Sequence, residues 1–293
     1  MRSMVAGALA LMMAAAAPGV AAPAVAPAAA TPFRLGALRL VALRDASNPV
    51  PNDGSVFGKD QGPAAVAGVL KAAGAATDTI ALSVDCLLVT LPGRVVLIDT
   101  GLGPKAGGAL LASLAVAGVR PGAVTDVLIT HSHFDHVGGL LAADGTPAFP
   151  NATIRMSAPE WAFMQSQDRG KAIAAAIRDK VQPFAPGAQL MPGIRAVALP
   201  GHTPGHSGYE IASGASRLID IGDSAHSAIV SLAEPDWTIT YDTDSAAGKA
   251  QRRAILTRLA ASHEPVFAPH FPFPGVGTVV AKGDGFAWKP GLP

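Results

Sequence analysis

Three histidines and an aspartate fall within one hexapeptide, His131-Ser132-His133-Phe134-Asp135-His136, in a chain with eight histidines in all. Neutral imidazoles and a carboxylate suit zinc or another first-row divalent ion. The hexapeptide directly follows the apolar run 126–130 and precedes Val137-Gly138-Gly139. A strand end running into a glycine-supported loop sets side chains at the rim of a sheet. His131 and His133, two apart in extended chain, project to the same side. Asp135 and His136 then lie on the turn and face a second point nearby. Similar endings recur downstream. Gly201-His202-Thr203-Pro204-Gly205-His206 follows the run 194–199, Gly222-Asp223 follows 217–221, and Pro269-His270 follows 266–268. Four apolar strands each end in His or Asp beside Gly or Pro, the pattern of a site assembled from loops at one end of a sheet.

The elements that must hold these loops are short. Strands are predicted over 35–43, 80–90, 94–99, 126–130, 152–156, 194–199, 207–211, 217–221, 266–268 and 278–281. Helices are predicted over 64–73, 109–117, 158–165, 171–181 and 246–261 from their Ala and Leu content and apolar spacing. Groups of strands closed by helices indicate an α/β chain with two sheets and helices outside them. Neither an internal repeat nor a second domain boundary is visible.

Composition narrows the function classes. The chain has 22 Lys+Arg against 21 Asp+Glu, a net charge of +1, and 49% hydrophobic residues. That balance excludes a disordered tail protein and offers no positive excess for nucleic acid. The single cysteine, Cys86, sits in an apolar run and reads as a buried small hydrophobe, so neither an internal disulfide nor a thiolate metal cluster is expected. Arg2 followed by the uncharged run 5–17 and small residues reads as a secretory signal, with cleavage options at 19–21 or 28–30. The run is too short to span a bilayer. Residues 1–30 are therefore expected to be signal and Ala/Pro leader, and residues 31–293 one domain. The expected product is periplasmic or secreted, without a membrane span; a homodimer is left as an option.

His131–His136, the GHTPGH segment, Gly222-Asp223 and His270, preceded by Leu97-Ile98-Asp99-Thr100-Gly101, together resemble the metallo-β-lactamase superfamily. The order of motifs fits across essentially the whole of the chain after the leader. The resemblance implies a four-layer αββα sandwich with a dinuclear metal site at one edge. Within the superfamily, Pro192-Gly193-Ile194, GHTPGH, Asp242-Thr243-Asp244-Ser245 and the segment 270–275 are most similar to the methyl parathion hydrolase and N-acyl-homoserine lactonase group. Carried over, the likeness places one divalent ion, zinc by preference, on His131, His133 and His202. It places a second on Asp135, His136 and His270, with Asp223 between them. The nucleophile it implies is a hydroxide shared by the two ions, with Asp135 as the residue that moves its proton. Asp99 and His206 would support the ligands from behind.

The remaining candidates concern the substrate. Phe134, Trp161, Phe163, His226, Phe271 and Phe273 are expected to line a pocket for an acyl chain or aromatic leaving group, with core packing as the competing reading for Trp161 and Phe163. Tyr209 and Tyr241 suit either an oxyanion donor or the core. His263 reads as a solvent-facing helix end. The small-molecule substrate expected is a lactone, ester or organophosphate triester. A true β-lactamase is the second enzyme reading, against which stands Asp223, a bridging carboxylate those enzymes lack by family pattern. A glyoxalase-II-type thioesterase would need a basic C-terminal region, which residues 271–293 do not resemble. A periplasmic metal-binding protein is the non-enzymatic reading.

Overall fold

A computed structural model describes residues 27–293; the apolar run 5–17 read as a signal lies outside the described residues. Strands β1 (Ala30–Leu35) and β2 (Leu38–Ser47) form an antiparallel hairpin. The single strand expected over 35–43 is thus split, because Gly36 turns the chain at φ 56. β3 (Val50–Pro51) and β4 (Thr79–Ile80) pair with each other, and helix α1 (Pro63–Ala72) lies between them in sequence. β5 (Ser83–Leu91), β6 (Arg94–Ile98), β7 (Asp126–Leu128) and β8 (Thr153–Arg155) complete a six-stranded sheet in the order β1-β2-β5-β6-β7-β8. Its helices are α2 (Leu110–Val116), the one-turn α3 (Phe134–Val137), α4 (Ala158–Ser166) and α5 (Asp168–Ile177). The last begins earlier than the helix predicted over 171–181 and ends before it.

The second sheet has seven strands. β9 (Gln189–Met191), β10 (Ile194–Ala198), β11 (Ser207–Ser213), β12 (Ser216–Asp220), β13 (Val266–Phe267), β14 (Val276–Lys282) and β15 (Gly285–Pro290) lie in reverse chain order. Helices α6 (Val230–Ala233) and α7 (Ser245–Ser262) belong to this half.

Alternation along the strands decides the layers. Leu40 and Ala42 of β2, Leu87 and Val89 of β5 and Val96 and Ile98 of β6 meet Ile194, Tyr209, Ile211 and Leu218 in a core between the sheets. Their neighbours Val41, Leu43, Leu88, Leu97 and Val127 point the other way, onto Leu110, Leu114, Ile173 and Ile177 of the helices. On the second sheet Ile219 and Val266 face Ile255, Leu256 and Leu259 of α7. Both faces of each sheet are covered, so the strands read as near-continuous apolar runs. The result is the αββα sandwich. Each fully buried Leu, Ile or Val contributes about 1.5–3 kcal/mol.

The topology sets the loops side by side. β6, β7 and β8 are parallel, and so are β12 and β13, so the loops after β6 and β7 share one edge, as do those after β12 and β13. Backbone bonds join the halves there: Ser207 N–H donates to Thr130 O (2.9 Å), and Ser83 N–H to His270 O (3.1 Å).

Candidate metal centre

The structure gathers His131, His133, His202 and Asp223 around one point and Asp135, His136 and His270 around another. His202 Nε2 lies 2.8 Å from His133 Nδ1 and 3.1 Å from His131 Nε2. Asp223 stands between the groups. Its Oδ2 is 3.5 Å from His131 Nε2 and 3.3 Å from His202 Nε2, whereas its Oδ1 is 3.2 Å from both His136 Nε2 and His270 Nε2. Asp135 Oδ2 completes the second group, 3.5 Å from His270 Nε2 and 3.8 Å from His136 Nε2.

The local chain explains the placement. His133 is the N-cap of α3, whose single turn carries Asp135 and His136 on to the second point. Gly222 precedes Asp223 at φ 48, and a Cβ there would fall 2.5 Å from His206 Nε2, so only glycine admits the close approach. His206 uses both ring nitrogens: Nδ1 donates to Leu199 O (2.9 Å) and Nε2 accepts the N–H of Asp223 (2.9 Å). It therefore fixes the Asp223 backbone and has no lone pair left for an ion.

Partners behind the imidazoles fix their tautomers. His136 Nδ1 donates to Asp99 Oδ2 (2.7 Å), and His270 Nδ1 to Ser83 O (2.6 Å). Thr130 Oγ1 donates to Asp99 Oδ2 and accepts from His131 Nδ1 (3.1 Å). His202 Nδ1 donates to Asp242 Oδ1 (3.0 Å), and the buried Arg252 donates to Asp242 Oδ2 (2.6 Å) and to Ser224 O (3.1 Å). Each Nε2 is thereby left as a lone pair aimed inward. Glu160, at the start of α4 and fully buried, accepts from Ser132 N and Oγ, Thr203 Oγ1 and Gly205 N. It joins the loop after β7 to the loop after β10. Sequence reasoning assigns Glu160 nothing, and takes Asp242 only as part of the segment 242–245 and Arg252 only as a basic helix residue, without a role at the ligands. Each lies in a helix or loop remote in sequence from its partners, and an Arg among apolar helix positions was the one signal available.

Electrostatics test whether the donor set suits cations. Burial, with the neighbouring histidines, keeps His131 well below the usual imidazole range and pushes His133 down to about 3, so both are neutral ligands. Burial opposes charge on His136 and His270 as well, but Asp223 and the other carboxylates outweigh it. They hold His136 well above its ordinary value and His270 at about 9. The same imidazoles outweigh burial and hold the Asp223 carboxyl well below its ordinary range. His136 Nε2 and Asp223 Oδ1 are buried without a hydrogen-bond partner. Buried carboxylates that recruit protons onto nearby imidazoles, and orphaned donor atoms facing one another, fit divalent cations.

A cavity of about 700 Å³ opens over these groups, lined by His133, Asp135, Asp223, His226 and His270, by Phe134, Phe163 and Ile173, and by Tyr241. Phe134, Phe163 and His226 are thus placed as pocket residues. Three expected pocket aromatics are elsewhere. Phe271 is fully buried beneath the second sheet's helices and meets Trp288 edge to face, 4.9 Å between centroids. Phe273 packs at the core between the sheets, under the Arg44 guanidinium at 4.4 Å. Trp161 packs on the outer face of the first sheet. Phe271 and Phe273, one and three residues after His270, are thus taken by the core rather than the cavity. Tyr209 is a core residue, its hydroxyl donating to Ile129 O (2.6 Å).

Residues 79–270 match the family described as the metallo-beta-lactamase superfamily. The chain belongs to this superfamily. A curated relative, metallo-beta-lactamase domain-containing protein 1 of Xenopus laevis, is 39% identical over 37% of this chain and 40% of its own length. A hydroxyacylglutathione hydrolase of Pseudomonas entomophila (strain L48) is 33% identical over 39% of each. The chain spans no more than 40% of the length of these two relatives. Among solved structures of metallo-β-lactamase proteins, AidC, a dizinc quorum-quenching lactonase in complex with a product, N-hexanoyl-L-homoserine, is 30% identical. It superposes with a TM-score of 0.86 over 91% of this chain and 98% of its own. The hydrolase AbOPH is 28% identical, with a TM-score of 0.83 over 92% and 99%.

Proposed function

We propose that this chain, a metal-dependent hydrolase of the metallo-β-lactamase fold, holds two divalent ions, zinc by preference, and opens neutral lactones or esters that carry an apolar acyl group. The observation that carries the reading is Asp223, with one carboxylate oxygen toward each donor group, at the floor of a cavity walled by Phe134, Phe163 and Ile173. The 30%-identical dizinc lactonase supports the substrate class.

Bound there, divalent ions would supply Lewis acidity and lower the pKa of water at neutral pH. The chain supplies the rest. His131, His133, His202, Asp135, His136, Asp223 and His270 would hold the ions. Asp135 is the ligand-type carboxylate most open to the cavity, its side chain 26% exposed. The charges of His136 and His270 outweigh burial and lower its pKa, so it is ionised and can accept a proton at Oδ2 from attacking water. It can then return that proton to the departing alkoxide oxygen. The aromatic wall excludes water around the acyl chain and fixes the carbonyl over the donors. Export belongs to the same proposal and rests on the run 5–17; fractionation of expressing cells tests it.

The test is metal analysis together with a panel of acyl-homoserine lactones, simple lactones, aryl esters, aryl phosphotriesters and cephalosporins. The expected result is two ions per chain and fastest turnover of acyl lactones. One ion or fewer in a fully active preparation, or turnover confined to cephalosporins, would overturn it.

A further inference from the structure

Asp45 is a fully buried carboxylate on β2 that belongs to neither donor group of the metal centre. The register between β2 and β5 shifts at this point: Arg44 pairs with Asp85 and Ala46 with Val84, so Asp45 is an extra residue without a cross-strand partner. Such a bulge re-aims a side chain, and bulges are common beside active sites. Both carboxylate oxygens are taken by one loop. Oδ2 accepts from Leu102 N–H (2.7 Å) and Oδ1 from Leu110 N–H (2.9 Å), while the backbone carbonyl of Asp45 accepts from Ala109 N–H (2.9 Å). Leu110 opens α2, whose N-cap Ala109 makes no side-chain cap, so the strand caps the helix. Gly101 lies against the carboxylate at φ 67, and a Cβ there would overlap it.

The loop 99–109 runs from β6 to α2, and Leu102 is the residue it contributes to the cavity wall. Leu102 is half-buried, and its backbone is gripped on both sides. Asp45 takes its N–H, and its carbonyl abuts Gly138, the C-cap of α3, where a Cβ would collide with it. The same loop reaches the metal centre through other bonds. Thr100 donates from both N–H and Oγ1 to His136 O (2.8 Å each), and Gly139 N–H donates to Gly101 O (3.2 Å). The turn that carries Asp135 and His136 is therefore fastened by Thr100 and Gly101, whereas Asp45 fastens Leu102.

We propose that Asp45 is a positioning residue for substrate selectivity: by fixing Leu102 in the cavity wall, it sets how well the pocket holds a substrate's apolar group. This rests on the hydrolase reading above and deepens it by naming the device that shapes the apolar wall. An ionised carboxylate, with two acceptors and no donor, matches two N–H groups of one loop. Asn offers one acceptor, and its NH2 would face an N–H. Contact with an apolar wall is made alike in the ground state and the transition state, so its loss belongs in KM rather than kcat.

The experiment uses the full chain with its metals, as wild type, Asp45→Asn, Leu102→Ala and the double variant. Metal per chain is measured, with kcat and KM along a series of acyl-homoserine lactones of increasing chain length, below each variant's thermal midpoint. Asp45→Asn should keep wild-type metal content and a kcat within about threefold. It should lose about tenfold of the preference for long over short acyl chains through a raised KM, the contribution of about two methylenes. Leu102→Ala should do the same, and the double variant should match either to within about twofold, because the second change removes a contact already lost. Losses that multiply, a fall in metal content, a kcat lowered alike on every chain length, or unchanged selectivity would each overturn the proposal. Amide hydrogen exchange needs neither a substrate nor a folded variant: in the wild type, the Leu102 N–H should be protected like those of β2, although it lies in a loop. Fast exchange there overturns the proposal even if Asp45→Asn does not fold. A wild type without a rise along the acyl series overturns the substrate reading instead. Asp45 then stands if Asp45→Asn loses the Leu102 protection at unchanged metal content, and falls if it keeps it.

Discussion

Asp242 takes the Nδ1 proton of His202 on one oxygen and the Arg252 guanidinium on the other, and Arg252 also bonds the carbonyl of Ser224, next to Asp223. Two ligands on separate loops are thus oriented by one ion pair that touches no substrate. Asp242→Asn keeps the shape and removes the charge behind His202. Divalent-metal affinity, measured by chelator competition, should fall about 10- to 100-fold, and on the proposed two-ion reading the loss falls on the ion that His202 would hold. The ligand types and spacing were legible in the sequence because a ligand set repeats at strand ends. The Asp242–Arg252 pair was not, since a helix Arg beside apolar residues reads as solvent-facing until α7 is packed. The aromatics show the opposite error: nearness to a ligand in sequence suggested a pocket for Phe271, which the core took. Phe134, 41% exposed and lining the cavity, remains. On the proposed acyl-lactone reading, kcat/KM should rise with acyl length by about 0.8 kcal/mol per methylene while wall remains, and Phe134→Ala should flatten that rise. Phe271→Ala should instead destabilise the chain by about 3–5 kcal/mol in urea unfolding and leave the slope of the series unchanged.

Among the elements, α4 does most to assemble the centre. Its N-cap Ser157 accepts from Glu160 N–H (3.2 Å) and donates to Gly205 O (2.6 Å), while the Glu160 carboxylate collects donors from both ligand loops. The first turn of a helix is a favourable place for a buried negative charge. Glu160→Ala would leave Ser132, Thr203 and Gly205 without an acceptor, a loss of about 3 kcal/mol or more. Both stability and metal content should drop together. Asp244→Ala is the comparison, because Asp244 only caps α7 by accepting from Ala247 N–H (3.0 Å). It should cost about 1 kcal/mol with metal content unchanged. If Glu160→Ala loses stability and keeps its metal, the loops are held by something else. Strand and helix positions were mostly legible from period and composition. The misses, the turn inside 35–43 and β15 at the edge, are places where a two-residue turn or a short hairpin return leaves little periodic signal.

Across the whole molecule, two sheets close on each other, and Asp85 is a buried carboxyl at their junction. It precedes Leu87 and Val89 along β5, in register with the positions that face between the sheets. Its Oδ1 accepts from Ser83 Oγ (2.8 Å), its N–H donates to Pro269 O on the opposite sheet's side, and its Oδ2 has no partner. Burial pushes this carboxyl up to about 8 against an ordinary 3.8, with Ser83 and His270 pulling only partly the other way. The folded chain therefore keeps a proton that the unfolded chain releases at much lower pH. Its contribution is fully present below about 3.8 and is lost as pH rises through about 8. Each unit of separation is worth about 1.4 kcal/mol, so the ceiling is several kcal/mol. Asp85→Asn keeps the oxygen that Ser83 needs and cannot ionise. Compared with wild type at equal metal loading, it should gain stability steadily from pH 4 to about 8 and level off above. Urea unfolding at pH 5, 7 and 9 measures the gain. A difference that is flat with pH would mean that Asp85 titrates normally in the fold, and a difference that shrinks toward pH 9 would mean that its ionised form is stabilised across the sheet junction.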